Sequence, residues 1–147
     1  MIAVSLLQPW AELVVCGAKK FETRSWHTNY KGTLLIHASL KFSMDERELC
    51  EEEPFKSALT RPMAFGAIIG MVEMEGCYST KVIRPTVAYP ETSFGDFGPG
   101  RFAWKFNNPR RFANALPWKG QLSLWTFNGW CHKDPNSDLW ILNQNLE

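Results

Sequence analysis

Long apolar runs, closely paired cysteines and an excess of one charge are all absent from this sequence of 147 residues. A membrane-spanning helix needs about 18 or more consecutive apolar residues, and no stretch reaches that length, so we expect no membrane span. The four cysteines form no Cys-x-x-Cys pair and have no histidine at the spacing of a zinc site. We therefore expect free thiols, no metal, no cofactor and a reducing, cytoplasmic location.

The charges balance, whereas aromatic side chains are abundant. Sixteen Lys and Arg oppose fifteen Asp and Glu, so the net charge of +1 indicates no class of partner. The apolar fraction of 45% excludes a disordered chain. The length is that of one domain, which we place at 1–147 and expect to be a monomer. Seven Trp and ten Phe supply either a large core or a surface on which bases stack.

Alternating apolar and polar residues predict short strands, and two segments have features of helices. Pro9 suits the first position of a helix, and Gly17 suits the position after its end. Ser43 and Glu46 have the spacing of a capping box for a second helix, ended by Pro54. We expect an α+β fold, a mixed or antiparallel barrel of five to seven short strands with two or more peripheral helices. The predicted strands lie near 2–6, 19–26, 33–38, 65–74, 100–106 and 121–127, the helices at 9–16 and 43–53, and a long loop at 79–100.

The basic residues cluster in two stretches, 19–41 and 101–119, while the acidic residues cluster in 45–53. If the basic stretches meet in the fold, they form a positive cleft interleaved with Trp26, Phe102 and Trp104. Cations neutralise phosphates and aromatic faces stack on unpaired bases, which is what single-stranded nucleic acid requires. The alternative is that these cations are solvated edge residues. A separate hypothesis gives the acidic stretch a protein partner.

Three early segments carry a family resemblance: Q-P-W at 8–10, G-x-K-x-x-E-x-R at 17–24 and I-H-A at 36–38. Later segments at 65–72, 100–104 and 116–120 fit the same pattern. On these motifs the chain resembles the ASCH domain, the activating-signal-cointegrator homology family of the PUA-like superfamily, over nearly its whole length. The resemblance implies a PUA-like mixed β-barrel with peripheral helices and a cleft lined by the 17–24 motif.

The resemblance also implies a function in RNA binding or RNA metabolism, with RNA or a nucleoside-like ligand as the partner. Some members of the family hydrolyse the acetyl amide of N4-acetylcytidine, and others have been described as ribonucleases. In the amidohydrolases the working groups are a Lys in the motif, a Thr three residues later and a Glu on a later strand. Lys19 matches the Lys, Glu22 stands at the Thr position, and Glu73 is the candidate for the later Glu.

The candidate catalytic residues are therefore Lys19, Glu22 and Glu73. A desolvated lysine can act as a general base or nucleophile, whereas a carboxylate beside it favours the ammonium form and an ion pair. Arg24 either grips a phosphate or holds Glu22 in place. The candidate nucleic-acid-binding residues are Trp10, Lys20, Arg24, Trp26, Ser39, Lys41, Arg101 and Trp104.

Two aromatic residues keep alternative interpretations. Trp10 is either a core residue of the first helix or a stacking residue at the mouth of the cleft. His37, between Ile36 and Ala38, is either a core histidine or a base. The leading hypothesis is an RNA- or nucleotide-binding domain with a cationic, aromatic-lined cleft, and the alternative is a hydrolase of the ASCH type.

Overall fold

Eight strands and four short helices make up the computed structural model, which describes residues 1–146. The strands are β1 (Ile2–Leu6), β2 (Phe21–Arg24), β3 (Gly32–Ala38), β4 (Ala67–Ser79), β5 (Phe102–Pro117), β6 (Leu124–Thr126), β7 (Gly129–Lys133) and β8 (Trp140–Gln144). The helices are α1 (Trp10–Val15), α2 (Met44–Leu49), α3 (Phe55–Ala58) and α4 (Thr80–Ile83), and two 3-10 turns span Arg84–Thr86 and Glu91–Ser93. Within the described residues, no helix has both the length and the apolar character needed to cross a bilayer.

All eight strands belong to one sheet, in the order β6-β1-β3-β4-β5-β8-β7, with β2 paired to β5. β1 runs parallel to β3 and β5 runs parallel to β8, while the other pairs are antiparallel. The predicted α+β class is confirmed. The predicted closed barrel is wrong, because no ladder in residues 1–146 joins the end strands β6 and β7.

Strands β4 and β5 are longer than their sequence patterns indicate, at 13 and 16 residues. The prediction ended the later strand at 106, whereas β5 continues to Pro117. Asn108 adopts a φ of 48°, and the register between β4 and β5 shifts in this region. Such a bulge bends a strand without ending it, so Pro109 is accommodated inside β5.

Helix α1 forms where its spacing predicts a helix, and it covers one face of the sheet. Pro9 precedes it, and Gly17 follows it with a φ of 86°, a conformation that a glycine adopts without steric cost. Val14 and Val15 pack into the core formed by β1, β3, β4 and β5. Leu13 packs against Phe55 and Phe94, outside that core. Helix α1 therefore joins the sheet to the segments that contain α3 and the second 3-10 turn.

The predicted second helix, 43–53, is shorter than expected, and a further helix that was not predicted follows it. Helix α2 ends at Leu49, and α3 begins after Pro54. Ser43 occupies the N-cap position in an extended conformation, but its side chain makes no capping hydrogen bond, so the predicted capping box is wrong. The predicted loop at 79–100 begins at the last residue of β4 and then contains α4 and both 3-10 turns, with no further strand before β5.

Candidate functional site

Strand β2 carries most of the G-x-K-x-x-E-x-R motif, and it lies directly against β5. The antiparallel register places Glu22 opposite Trp104 and Arg24 opposite Phe102. The basic stretches 19–41 and 101–119 are therefore neighbours in the sheet, as predicted. Because alternate residues of a strand point to opposite faces, Glu22 and Arg24 project to the same side of β2.

Three charged side chains of the motif form a continuous ionic chain. The Nζ of Lys19 lies 3.7 Å from Oε1 of Glu22, and Oε2 of Glu22 lies 3.1 Å from Nη2 of Arg24. The Lys19 ammonium also donates a hydrogen bond of 2.8 Å to the backbone carbonyl of Phe94. Glu22 thus lies between two cations, one buried and one at the surface.

The Lys19 side chain is fully buried, which is uncommon for a lysine. Burial lowers the pKa of Lys19 below its ordinary value, although the carboxylates of Glu22 and Glu91 oppose this effect. Burial also raises the pKa of Glu91, whose Oε1 accepts a 2.6 Å hydrogen bond from the backbone N–H of Lys20. Lys19 is therefore a buried amine whose polar partners are the carboxylate of Glu22 and the backbone carbonyl of Phe94.

Two cavities meet at Ser5, Leu7 and Arg24, which line both of them. The first, here called the motif cavity, has a volume of about 470 Å³ and also contacts Glu22 and Arg101. The second, here called the His37 cavity, has a volume of about 620 Å³. Its further lining residues include His37, Ser39, Leu40, Phe65, Trp118, Lys119, Gly120 and Leu122. Both volumes are within the range of cavities that hold small ligands.

Arg24 is positioned by contacts on several sides. Its Nη2 donates a hydrogen bond of 3.3 Å to the carbonyl of Ser5, and its guanidinium carbon lies 5.7 Å from the centre of the Trp104 ring. The side chain is 27% exposed. Its Nε and Nη1 make no hydrogen bond within residues 1–146, so part of the guanidinium fork is available where the two cavities meet.

Other predicted binding residues also reach this region. Trp10 is half-buried, packs edge-on against Phe55 with ring centres 6.4 Å apart, and lines the motif cavity. Arg101 lines the same cavity, and its Nε donates a 3.1 Å hydrogen bond to the carbonyl of Asp96. Ser39 lines the His37 cavity. The fold therefore gathers four predicted residues, Trp10, Arg24, Ser39 and Arg101, around two adjoining cavities.

The family model of the ASCH domain matches residues 4–112 of this chain. The chain belongs to the ASCH domain family. The ASCH chain is 27% identical to Activating signal cointegrator 1 of Homo sapiens and 26% identical to that of Mus musculus, over 96% of its own length. It spans 25% of the length of these curated relatives.

Solved ASCH structures are similar to this ASCH chain in fold. ASCH from Zymomonas mobilis superposes with a TM-score of 0.53 and 15% identity, over 84% of this chain and 85% of that one. A crystal structure of a mutant of that Zymomonas mobilis protein gives the same TM-score of 0.53 at 14% identity, with the same coverage of both chains. At this level of identity, the similarity concerns the fold alone.

Several predicted residues of the ASCH chain lie away from the two cavities. Trp104 is fully buried, and Trp26 packs edge-on against it with ring centres 5.0 Å apart, so Trp104 presents no face to a ligand in this conformation. Lys20 and Lys41 are exposed but line neither cavity. Trp104 is a core residue because its position on β5 faces the apolar cluster beneath α1.

Glu73 lies in a separate cluster of polar side chains. Its Oε1 accepts hydrogen bonds from Oγ1 of Thr33, at 2.8 Å, and from Nη2 of Arg110, at 2.6 Å. Thr33 is its partner on β3, and Glu73 lines neither cavity. The carboxylate that the fold places beside Lys19 is therefore that of Glu22.

Sequence reasoning missed Ser5 and the segment from Trp118 to Ser123, all of which line the His37 cavity. Two signals were available: the motif I-H-A places His37 on a strand that reaches the cavity, and the family pattern includes 116–120. In residues 1–146, no group of three His, Cys, Asp or Glu side chains is arranged to hold a metal ion. All four cysteine thiols are free.

Proposed function

We propose that this ASCH domain binds single-stranded RNA, or a nucleoside-like part of it, along the motif cavity and the His37 cavity. The observation that carries the proposal is the position of Arg24, whose partly exposed guanidinium lines both cavities where they meet. One guanidinium group at such a junction can bind a phosphate while a base occupies either side.

The charge around Arg24 supports an anionic ligand. Arg24 lines both cavities and shares the carboxylate of Glu22 with the buried Lys19, so Glu22 does not fully neutralise the charge of Arg24. In the motif cavity Arg101 pairs with the carboxylate of Asp96 at 3.5 Å, so these two residues together add no net charge, whereas Lys119 adds a cation to the His37 cavity. Neutralising phosphates with such cations releases counterions, which provides affinity that falls as salt rises.

The apolar lining supports a base rather than a simple anion. Trp10 lies in the motif cavity and Trp118 in the His37 cavity. Leu40 and Leu122 flank the His37 cavity and are 78% and 94% exposed. Aromatic and aliphatic side chains of this kind pack on the faces of unpaired bases, so the two cavities suit a single strand whose bases are unstacked.

The test measures binding of a short fluorescein-labelled RNA by anisotropy over a series of salt concentrations. We expect Arg24→Ala and Arg101→Ala to weaken binding, and each lost phosphate contact to reduce the salt slope by about 0.7. Arg24→Lys should bind more weakly than the parent chain because lysine lacks the planar fork. Lys133→Ala is the matched control, since Lys133 is 57% exposed on β7 and pairs with Asp138. Equal affinity and slope in all variants would refute the proposal.

A hydrolytic function is the second candidate, and the buried Lys19 favours it. Because burial lowers the pKa of Lys19, its neutral amine forms more readily than that of a surface lysine. Lys19 lines neither cavity, but its Nζ lies 3.7 Å from Glu22, which lines the motif cavity, so Glu22 would carry the proton from the attacking water to this amine. Water would add to the acetyl carbon of N4-acetylcytidine, the C–N bond would break, and Glu22 would transfer the proton to the leaving nitrogen. Acetate and cytidine would be the products.

Chromatography of the products tests this second candidate. The ASCH domain is incubated with N4-acetylcytidine and, in a parallel reaction, with end-labelled RNA to detect a ribonuclease. We expect cytidine to be released by the parent chain and not by Lys19→Met, while Glu73→Gln, which alters a carboxylate in the separate cluster, keeps the activity. Release at the Lys19→Met rate, or no release, excludes the amidohydrolase.

A further inference from the structure

His37 lies at the base of the His37 cavity with one ring nitrogen already bound. Its side chain is on β3 and is 2% exposed. The Nε2 atom lies 2.7 Å from the backbone carbonyl oxygen of Trp118. A carbonyl oxygen only accepts hydrogen bonds, so Nε2 carries the proton and Nδ1 is a bare acceptor in the neutral ring. The Trp118 carbonyl therefore fixes the tautomer of His37.

The Nδ1 atom of His37 is buried and has no hydrogen-bond partner within residues 1–146. Buried acceptors are nearly always satisfied in folded proteins, and an unsatisfied one costs free energy. Two further buried atoms, Oε2 of Glu91 and Nε1 of Trp104, share this condition, but neither residue lines the His37 cavity. Nδ1 of His37 is thus the unsatisfied acceptor at this cavity among the described residues.

Gly120 covers the place where a partner for Nδ1 would sit. A Cβ atom on Gly120 would lie 2.8 Å from Nδ1 of His37 and 2.6 Å from Oγ of Ser5. The two polar atoms therefore face one common point, which only a glycine can cover so closely. Oγ of Ser5 accepts a 3.2 Å hydrogen bond from Nε1 of Trp125, so its own proton remains available to a ligand.

The segment 119–123 that contains Gly120 is held weakly. Within residues 1–146 it makes no hydrogen bond, whereas the backbone N–H of Trp118, just before it, donates to Gly66 at 3.0 Å. Leu122 is 94% exposed, and Ser123 has a φ of 61°, which is unfavourable for a residue other than glycine. The segment can therefore move away from His37 and Ser5 without loss of a hydrogen bond.

We propose that His37 and Ser5 determine specificity for an unpaired base, by binding adjacent donor and acceptor groups on its hydrogen-bonding edge after segment 119–123 moves aside. Nδ1 of His37 accepts from an N–H of the base, and the Ser5 hydroxyl donates to the neighbouring ring nitrogen or carbonyl. The faces of the base pack against apolar side chains outside that segment, Leu40 and Phe65, which line the same cavity. This inference rests on the proposed RNA binding, which it extends from phosphate contacts to base recognition.

The experiment compares the parent chain with His37→Gln on RNA and on an abasic oligonucleotide of the same length. Glutamine places an amide nitrogen near the position of Nε2 and can still donate to the Trp118 carbonyl, but it has no acceptor at the position of Nδ1. We expect about a tenfold loss of affinity for RNA and no loss for the abasic strand. Near-ultraviolet circular dichroism establishes that His37→Gln remains folded.

A second measurement uses the parent chain, so it does not depend on folding of the variant. The chain has three histidines, and the 15N chemical shift of a bare imidazole nitrogen moves when that nitrogen accepts a hydrogen bond. Comparison with His37→Gln identifies the Nδ1 signal of His37, because that signal is missing from the spectrum of the variant. In the parent chain we expect this signal to move on addition of RNA and to remain unchanged on addition of the abasic strand.

The outcomes separate the two proposals. An equal loss on RNA and abasic strands, or a static Nδ1 signal in a chain that binds RNA, overturns the role of His37 and leaves RNA binding intact. A parent chain that binds neither strand overturns both.

Discussion

Glu22 is the residue whose neutralisation tests the ionic chain most directly. In Glu22→Gln the buried ammonium of Lys19 keeps its hydrogen bond to the carbonyl of Phe94. It loses its ion pair with the carboxylate, which lies 3.7 Å away in the parent chain. Removal of one partner from a buried ion pair is far more damaging than loss of an exposed pair, because the remaining charge stays desolvated. We therefore expect Glu22→Gln to destabilise the fold strongly at neutral pH.

The size of the effect follows from this geometry. At 3.7 Å and an effective dielectric constant of about 20, the Lys19–Glu22 attraction is worth about 4.5 kcal/mol. The glutamine carbonyl can still accept a hydrogen bond, which restores about 1 kcal/mol. The expected loss of unfolding free energy is therefore about 3.5 kcal/mol, or about 7–14 °C in Tm for a domain of this size.

Urea unfolding followed by tryptophan fluorescence measures this loss, with Glu75→Gln as the control. Glu75 pairs with Lys105 at 3.4 Å, but the side chains are 39% and 48% exposed, so we expect that substitution to cost less than about 1 kcal/mol. Lys19→Met combined with Glu22→Gln should be more stable than Glu22→Gln alone, because no buried charge remains. Equal, small effects of Glu22→Gln and Glu75→Gln would refute the reasoning.

Further predictions concern pH and the segment over His37. Burial lowers the pKa of His37 in the folded state. As pH falls below about 6.5, the unfolded chain therefore binds a proton before the folded chain does, and the free energy of unfolding falls. Urea unfolding from pH 7.5 to 5 should show this loss of stability in the parent chain and not in His37→Gln. Gly70→Ala would place a Cβ atom against the carbonyl oxygen of Arg110 and 2.8 Å from Val15, and we expect a loss of about 1–3 kcal/mol in urea unfolding. In Gly120→Ala the added Cβ atom also lies close to Ser5 and His37. We expect this substitution to cost less than about 1 kcal/mol, because segment 119–123 can move away. A cost equal to that of Gly70→Ala would contradict the mobility of the segment.

Local patterns predicted those parts of the fold that depend on neighbouring residues. The spacing of Trp10, Leu13 and Val14, with Pro9 before them and Gly17 after, predicted α1 within one residue at each end. The alternation in 19–26 and 100–106 predicted β2 and the first five residues of β5. Their adjacency followed from the expectation that the two basic stretches share one cleft, and it is confirmed by the register.

Features set by distant contacts were not predictable in the same way. The burial of Lys19 depends on the carbonyl of Phe94, 75 residues later in the chain. The prediction of a closed barrel was wrong because the part of β5 beyond Asn108 pairs with β8. The β7–β8 hairpin then forms the edge of the sheet. The alternation of residues within one strand contains no information on which later segment of the chain will pair with that strand.

Glu22 also links the stability of the fold to the proposed binding of RNA, and the two effects have opposite signs. Its Oε2 lies 3.1 Å from Nη2 of Arg24, so a phosphate that approaches Arg24 meets a carboxylate beside it. Neutralising Glu22 removes this repulsion, which at a partly exposed site is worth about 1 kcal/mol, or about a fivefold gain in RNA affinity. A variant that merely loosened the cavities would lose affinity and stability together. Glu22→Gln should instead unfold at lower urea yet bind RNA more tightly below its transition, and a parallel loss of both would show that Glu22 organises the site rather than competing with the ligand.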